Sequence, residues 1–213
     1  MDARIAHLVE VIRPRYDNGD PGHDFAHVER VMKSCTRIAE SVGADLSIVL
    51  PAALLHDVIN VPKNHPDRAA ASAKAAEEAR DILRDAGYAP AEIERIAVVI
   101  TEHSYSLGKA PSCLESAVLQ DADRLDALGA VGIMRTVTCG CKMGARYYDA
   151  AEPFAKTRPL DDERNTLDHF YVKLLKLADT MNTEIARREA ARRTELMHAF
   201  LRQAEGEISG TFG

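Results

Sequence analysis

Apolar residues recur at helical spacing through most of this chain, and short polar turns separate the apolar segments. This spacing, together with long stretches rich in Ala, Leu, Glu and Arg, predicts α-helices rather than strands. Clusters such as NGDPG at 18–22 and SLGKAPS at 106–112 mark the turns between helices. The predicted helices cover residues 2–13, 24–42, 45–58, 67–86, 90–103, 113–128, 129–144, 164–180 and 182–207. The pattern therefore predicts an all-α fold.

Composition sets the size of this fold. The chain has 213 residues, of which 46% are hydrophobic and 28% are charged, so it can bury one substantial core. It contains no repeat with a period of about 20 to 50 residues and no low-complexity linker. We therefore expect a single domain over residues 1–213, with the C-terminal helices packed on its core.

Net charge limits the class of partner. A formal charge of −6 argues against a broad basic surface, so we expect no duplex nucleic acid as partner. A small anionic substrate is compatible with this charge, because a local pocket can oppose the sign of the whole protein. The segment MDARIAHLVEVIRPRY lacks the apolar core of a signal peptide, and no apolar run reaches the roughly 20 residues that span a bilayer. We expect a cytoplasmic protein with no membrane partner, and the oligomeric state stays open.

Three polar breaks interrupt apolar segments. They are GHDFAHVERV around His27, ALLHDVI around His56 and Asp57, and AVLQDADRLDALG around Asp121. A buried imidazole or carboxylate needs a proton donor, a charge partner or a metal, because an unpaired one costs several kcal/mol. One divalent ion is the simplest explanation for two imidazoles and two carboxylates in such segments.

The third break contains three aspartates. Asp121 shares one helical face with the apolar residues Val118 and Leu125, so we expect its side chain to point inward. Asp123 and Asp126 fall on other faces, where a solvated surface explains them. A core carboxylate that is paired with an arginine or caps a helix is the alternative explanation for Asp121.

The two histidine-containing breaks raise different geometric questions. His56 and Asp57 diverge by about 100° on a helix, so both reach one ion only if it faces the seam between them. His23 and His27 lie one helical turn apart and can chelate an ion together, although no Glu follows His23 as in HExxH. His27 lies deeper in the predicted helix, so we assign His27 to the metal and His23 to the rim of the pocket. A single buried histidine is more often a hydrogen-bonded core residue than a ligand.

The order HxxxH, HD and a later Asp resembles the HD superfamily of metal-dependent phosphohydrolases. Similarity to the bacterial subgroup that includes nucleotide pyrophosphohydrolases is carried by ALLHDVINVPKNHPDRAAASA, ITEHSYS, LQDADRLDALGAVGIMR, PFAKTRPLDD and TLDHFYVKLLKLADTMNTE. The resemblance implies an HD-type helical bundle in which one metal is bound by His27, His56, Asp57 and Asp121. Some HD nucleotidases have a glutamate shortly after the HD pair that helps to activate water. HDVINVPK has no acid after its HD pair, so the resemblance leaves the general base open.

Two nitrogen and two oxygen ligands suit manganese, iron, cobalt, nickel or zinc, and such a set also accepts magnesium. An octahedral ion with four protein ligands keeps two positions for water and a phosphoryl oxygen. Asp57 is the candidate catalytic residue, since its second carboxylate oxygen can orient that water.

Phosphoryl transfer also requires positive charge around the substrate. The candidate phosphate-binding residues lie beside the metal motifs and in the later segments of the resemblance. They are His23, Lys63, His65, Arg68, His103, Arg124, Arg158, His169 and Lys173. For any single Lys or Arg in this set, a solvated surface charge is the alternative.

We therefore expect a metal-dependent phosphohydrolase. Its expected reaction is hydrolysis of a nucleoside triphosphate to the monophosphate and pyrophosphate, through water attack at the α-phosphorus. A phosphomonoesterase or cyclic-nucleotide phosphodiesterase with the same metal is one alternative. A nucleotide-binding regulator with little turnover is an alternative of another class.

Overall fold

The computed structural model describes residues 3–16, 22, 24–59 and 70–211, and within these ranges it contains α-helices and no strand. The helices are α1 (Ala3–Ile12), α2 (Phe25–Val42), α3 (Leu46–Leu55), α4 (Ala71–Asp85), α5 (Pro90–Glu102), α6 (Leu114–Asp126), α7 (Gly129–Lys142), α8 (Asp168–Val172) and α9 (Glu184–Ser209). Short 3₁₀ segments cover Arg13–Tyr16, Tyr105–Leu107 and Leu174–Thr180. The predicted all-α class is confirmed.

Most helices begin and end within a few residues of their predicted limits, but two predictions are wrong. The continuous helix over 164–180 is instead the five-residue α8 followed by the 3₁₀ segment Leu174–Thr180. Lys173 separates them with φ −128° and ψ −58°, a conformation that interrupts helical hydrogen bonding. The helix predicted over 45–58 ends at Leu55, so His56 and Asp57 follow the helix rather than lying inside it.

Contacts within the chain divide it into two compact units, Met1–Asp123 and Arg124–Gly213. In the first unit, α3 packs against α1, α2, α4 and α5. Its sequence LSIVLPAALL is apolar almost all round, as expected of a helix that is covered by neighbours on several sides. The C-terminal end of α3 therefore delivers residues 56 and 57 from the middle of this unit. The single domain over 1–213 stays a prediction.

In the second unit, α7 packs against α9, and α9 also contacts the 3₁₀ segment Leu174–Thr180. A glycine on α7 is required by the close approach of another segment. A Cβ added at Gly140 would lie 2.3 Å from Thr166 Oγ1, far inside van der Waals contact. The hydroxyl of Thr166 donates to the Arg146 carbonyl oxygen at 3.0 Å, which fixes the side chain that blocks this position.

Helix α9 is the longest helix, with 26 residues, and it carries ion pairs along its surface. Glu189 accepts hydrogen bonds from Arg192 and Arg193 at 2.7 to 2.9 Å, and these bonds lower the pKa of Glu189 to about 2. Among the described residues, no helix combines the length and the apolar composition needed to cross a membrane.

Candidate metal site

His27 lies in the first turn of α2, where the cap of the helix fixes its backbone. The Asp24 carboxylate accepts a hydrogen bond from the His27 backbone N–H at 2.9 Å. The imidazole is fully buried, and its Nε2 lies 3.3 Å from Nε2 of His56. The N-terminal cap of α2 therefore positions the buried Nε2 of His27 next to Nε2 of His56.

His56 follows α3 directly, and its ring has a defined donor side. Nδ1 lies 2.8 Å from the carbonyl oxygen of Ala53, and because a carbonyl only accepts, Nδ1 carries the proton. Burial lowers the pKa of His56 despite the nearby charge of Asp57, which favours the neutral ring. The unprotonated Nε2 then faces His27, the arrangement in which a histidine binds a metal.

Asp57 lies in the turn that follows α3, and its carboxylate is close to both imidazoles. Its Oδ2 lies 3.5 Å from His56 Nε2 and 3.9 Å from His27 Nε2. His27, His56 and Asp57 form a group whose candidate ligand atoms lie within 4.8 Å of one another. His56 and Asp57 can therefore serve one ion, because their nearest ligand atoms face each other across 3.5 Å.

A second carboxylate reaches the same nitrogens from α6, and it belongs to Asp123. Oδ1 of Asp123 lies 3.6 Å from His27 Nε2 and 4.0 Å from His56 Nε2, and 25% of the side chain is exposed. Burial opposes a lower pKa for Asp123, but its electrostatic interactions with the neighbouring imidazoles lower the pKa overall. The expectation that Asp123 belongs to a solvated surface is wrong.

Helix α6 explains why this expectation failed. From Ser116 to Asp126 nearly every residue is buried, so an apolar stripe does not separate a core face from a solvent face. Asp126, which was also expected at the surface, is buried and pairs with Arg135 at 2.8 Å. Asp121 is fully buried as well, as its inward direction predicted.

Each of the two carboxylates, taken together with the two imidazoles, meets a simple distance requirement for a shared ion. Two atoms that bind one ion at about 2.1 Å cannot lie more than about 4.2 Å apart. The separations between the two Nε2 atoms, and from each Nε2 to Asp57 Oδ2 and Asp123 Oδ1, run from 3.3 to 4.0 Å. A hydrogen bond between the two imidazoles would explain the 3.3 Å separation of their Nε2 atoms, but not the approach of the carboxylates. The residues present therefore fit a divalent ion with mixed nitrogen and oxygen ligands.

His103 lies on the other side of Asp57. Its Nε2 is 3.7 Å from Asp57 Oδ1, and its Nδ1 donates to the Ile100 carbonyl oxygen at 2.6 Å. Burial disfavours the imidazolium, but a hydrogen bond and the charge of Asp57 raise the pKa of His103 overall. The sequence-predicted residue His103 is thus next to the candidate metal ligands.

Gln120 fixes the segment that follows α5, and sequence reasoning missed it. Its side-chain amide donates to the carbonyl oxygens of Glu102 at 2.8 Å and Lys109 at 3.0 Å. These two acceptors flank the segment that begins with His103. A polar Gln in the apolar run AVLQ was a signal of the same kind as the histidines, because a buried amide also needs partners.

The other predicted phosphate-binding residues fall into two sets. One set lies outside the described residues and comprises His23, Lys63, His65 and Arg68. The second set lies in the second unit and comprises Arg124, Arg158, His169 and Lys173.

Three members of the second set have partners within their own unit. Arg158 pairs with the buried Asp168 through two hydrogen bonds of 2.6 and 2.8 Å. Arg124 donates to the Thr180 carbonyl oxygen at 2.5 Å. Nδ1 of His169 lies 2.7 Å from a carboxylate oxygen of Asp162. These contacts give each side chain a role in holding the second unit together, and their phosphate-binding role stays a prediction.

The site residues of the first unit lie in a segment that matches a known family. A model of the HD domain matches residues 24–128, which include His27, His56, Asp57, His103 and Asp123. YpgQ of Bacillus subtilis (strain 168), described as an uncharacterized protein, is 39% identical over 193 residues, 89% of this chain and 86% of YpgQ.

Solved structures of similar proteins cover nearly the whole chain. A crystal structure of Bacillus subtilis YpgQ in complex with ADP has a TM-score of 0.76 and 33% identity, covering 97% of this chain and 98% of that chain. An HD-superfamily hydrolase from Bacillus thuringiensis has a TM-score of 0.73 and 32% identity, with 97% of each chain covered. A Lactobacillus plantarum protein has a TM-score of 0.78 and 32% identity, with 99% of each chain covered.

Proposed function

Because this chain belongs to the HD family of hydrolases, we propose that it uses one divalent metal ion to hydrolyse a phosphate bond of a nucleotide. The observation that carries the proposal is the convergence of two imidazoles and two carboxylates, in which each imidazole Nε2 lies within 4.0 Å of an oxygen of each carboxylate. A hydrolytic metal site needs this kind of cluster beside a region that admits water and substrate. The partly exposed carboxylates of Asp57 and Asp123 supply that access.

The proposed ligands are His27, His56, Asp57 and Asp123. Asp123 takes the place that the sequence resemblance gave to Asp121. Residues two positions apart on a helix point about 200° away from each other, so both carboxylates cannot face one ion from α6. The separations of 3.6 and 4.0 Å from Asp123 to the imidazoles favour Asp123.

A bound ion of this type would lower the pKa of a water molecule and polarise a phosphoryl oxygen. Asp57 is suited to hold the attacking water, because Oδ2 faces the imidazoles while Oδ1 faces His103. His103 adds a positive charge when protonated, and its position beside Asp57 lets it bind an oxygen of the substrate phosphate. Asp57 therefore acts as ligand and water-orienting group, and His103 as a phosphate-orienting group.

Nucleoside triphosphates are the proposed substrates. The ADP bound to Bacillus subtilis YpgQ, a relative of this chain across nearly its full length, supports a nucleotide. In the proposed reaction, the oxygen of water forms a bond to the α-phosphorus, and the bond from that phosphorus to the bridging oxygen breaks. Pyrophosphate leaves with that oxygen, the monophosphate remains, and the proton lost by water passes to solvent.

The test is product analysis with metal-depleted protein and a panel of nucleoside and deoxynucleoside triphosphates. Each candidate metal is added in turn, and pyrophosphate and inorganic phosphate are measured separately. We expect pyrophosphate with manganese or another transition ion, and none with a chelator present. His56→Ala should abolish the activity, whereas Asp81→Asn, at an exposed position on α4, should retain it.

Other products would replace this proposal with a stated alternative. Inorganic phosphate from monophosphates indicates a phosphomonoesterase, and ring opening of cyclic nucleotides indicates a phosphodiesterase. Tight nucleotide binding without any product indicates a regulator.

A further inference from the structure

Tyr16 is a buried residue that contacts both segments supplying candidate histidine ligands. It ends the 3₁₀ segment Arg13–Tyr16, and only 3% of its surface is exposed. Its ring packs edge-on against Phe25, with 6.0 Å between the ring centroids. Its hydroxyl donates to the carbonyl oxygen of Leu54 at 2.9 Å. Phe25 precedes His27 by two residues, and Leu54 precedes His56 by two.

The hydroxyl of Tyr16 completes the hydrogen bonding at the end of α3. The last carbonyl groups of any helix lack partners inside the helix and must find them elsewhere. Here the carbonyl oxygen of Leu55 accepts a hydrogen bond from the backbone N–H of Val58 at 3.2 Å. The carbonyl oxygen of Ala53 accepts one from Nδ1 of His56. The carbonyl oxygen of Leu54 accepts a hydrogen bond from the hydroxyl of Tyr16, so a residue far away in the sequence helps to hold this turn.

The same hydroxyl interacts with the residue that follows His56. Burial and the negative charge of Asp57 raise the pKa of Tyr16, and the backbone of Asp57 partly offsets this increase. The phenol keeps its proton at neutral pH, as its donation to a carbonyl oxygen requires. The bond from this hydroxyl to the Leu54 carbonyl oxygen holds the start of the turn 54–57, whose last two residues are His56 and Asp57.

We propose that Tyr16 is a positioning residue whose hydroxyl holds this turn so that His56 and Asp57 direct their ligand atoms at one ion. The inference rests on the metal-dependent function proposed above. The Nε2 of His56 and Oδ2 of Asp57 are 3.5 Å apart and depend on the path of a single turn. Metal sites tolerate errors of only about 0.2 Å in ligand distance, so a relaxed turn weakens binding without unfolding the protein.

The test compares Tyr16→Phe with Tyr88→Phe. Each change removes one hydroxyl from a buried tyrosine of the first unit, and Tyr88 lies under the guanidinium of Arg4, outside the metal cluster. Mn²⁺ alone is titrated into metal-depleted proteins in competition with a coloured chelator, and far-UV circular dichroism confirms the fold. We expect the Mn²⁺ Kd of Tyr16→Phe to rise about tenfold, the lower end of the range for groups that orient metal ligands. The Kd of Tyr88→Phe should stay within about twofold of wild type.

A spectroscopic measurement separates positioning from general stability. With Co²⁺ as the probe, the visible absorption bands of Tyr16→Phe should differ from those of wild type and of Tyr88→Phe. A Tyr16→Phe variant with unchanged Mn²⁺ affinity and an unchanged Co²⁺ spectrum overturns the role of Tyr16 and leaves the proposed function standing. A variant that loses its fold assigns Tyr16 to overall stability and also overturns the role. If wild type and both variants bind neither ion, the proposed function fails along with the inference.

Discussion

The assignment of Asp123 rather than Asp121 as the α6 ligand makes a sharp prediction. Asp123→Asn keeps the shape of the side chain but removes its charge, and Asp121→Asn makes the same change about 200° away on the same helix. Oδ1 of Asp123 lies 3.6 and 4.0 Å from the two Nε2 atoms, whereas Asp121 is fully buried. The two variants therefore form a matched pair that differs in which carboxylate faces the cluster.

The size of the effect follows from the position of Asp123. Loss of a group that only supports a metal ligand typically weakens binding 10- to 100-fold. Loss of the charge on a ligand should cost at least about 100-fold in Mn²⁺ affinity, or roughly 2.7 kcal/mol. We expect Asp121→Asn to change the Mn²⁺ Kd by less than about threefold, or roughly 0.6 kcal/mol.

The assay is titration of metal-depleted protein with Mn²⁺, followed by the enhancement of water proton relaxation. Circular dichroism and a denaturant titration of each metal-free variant establish that the fold is retained. A large loss in Asp121→Asn with wild-type affinity in Asp123→Asn would return the ligand role to Asp121. Wild-type affinity in both variants would refute an ion held from α6.

Three further predictions concern both units of the chain. Asp168→Asn should lower stability by about 1 to 3 kcal/mol near neutral pH, because the buried carboxylate loses its charge-assisted hydrogen bonds from Arg158. Burial opposes a lower pKa for Asp168, but the hydrogen bonds from Arg158 lower it overall. The difference in denaturant midpoint between wild type and variant should therefore shrink below about pH 4. A difference that does not change with pH would contradict the ion pair. Gly140→Ala should destabilise by about 1 to 3 kcal/mol through overlap with Thr166, and a Gly140→Ala, Thr166→Ala double variant that recovers nothing in the same titration would contradict that cause. His103→Gln should lower kcat about 10- to 100-fold in initial-rate assays with little change in Mn²⁺ Kd, and a parallel loss of Mn²⁺ affinity would make His103 a ligand.

The positions of the helices could be predicted because local rules set them. Aspartate caps begin α2 and α3, and Gly43 ends α2 in the left-handed conformation at φ 76°. The break at Lys173 escaped prediction because the apolar spacing after it suits α and 3₁₀ geometry alike. Local periodicity thus determines where helices occur more reliably than where they change type.

The candidate site was predictable to the extent that buried polar residues stand out in apolar segments. His27, His56 and Asp57 were identified this way, and the structure brings them together. The choice between Asp121 and Asp123 was not predictable, because α6 is buried on nearly all sides and any of its faces can be internal. Helical phase shows which residues share a face, but not which neighbour that face meets.

Tyr16 illustrates a second limit of the sequence. Its hydroxyl contacts a carbonyl 38 positions later in the chain, and no local pattern records that contact. Its contact with the turn after α3 depends on how α1 and α2 pack around α3. Residues that position a site through long-range contacts become visible only once the fold is known.

The central claim is that His27, His56, Asp57 and Asp123 bind one ion. The most direct measurement is the anomalous scattering of a crystal soaked with Mn²⁺. We predict one strong peak at about 2.0 to 2.3 Å from both Nε2 atoms and from an oxygen of each carboxylate. A peak that binds Asp121 in place of Asp123, or one away from the two imidazoles, would contradict the account.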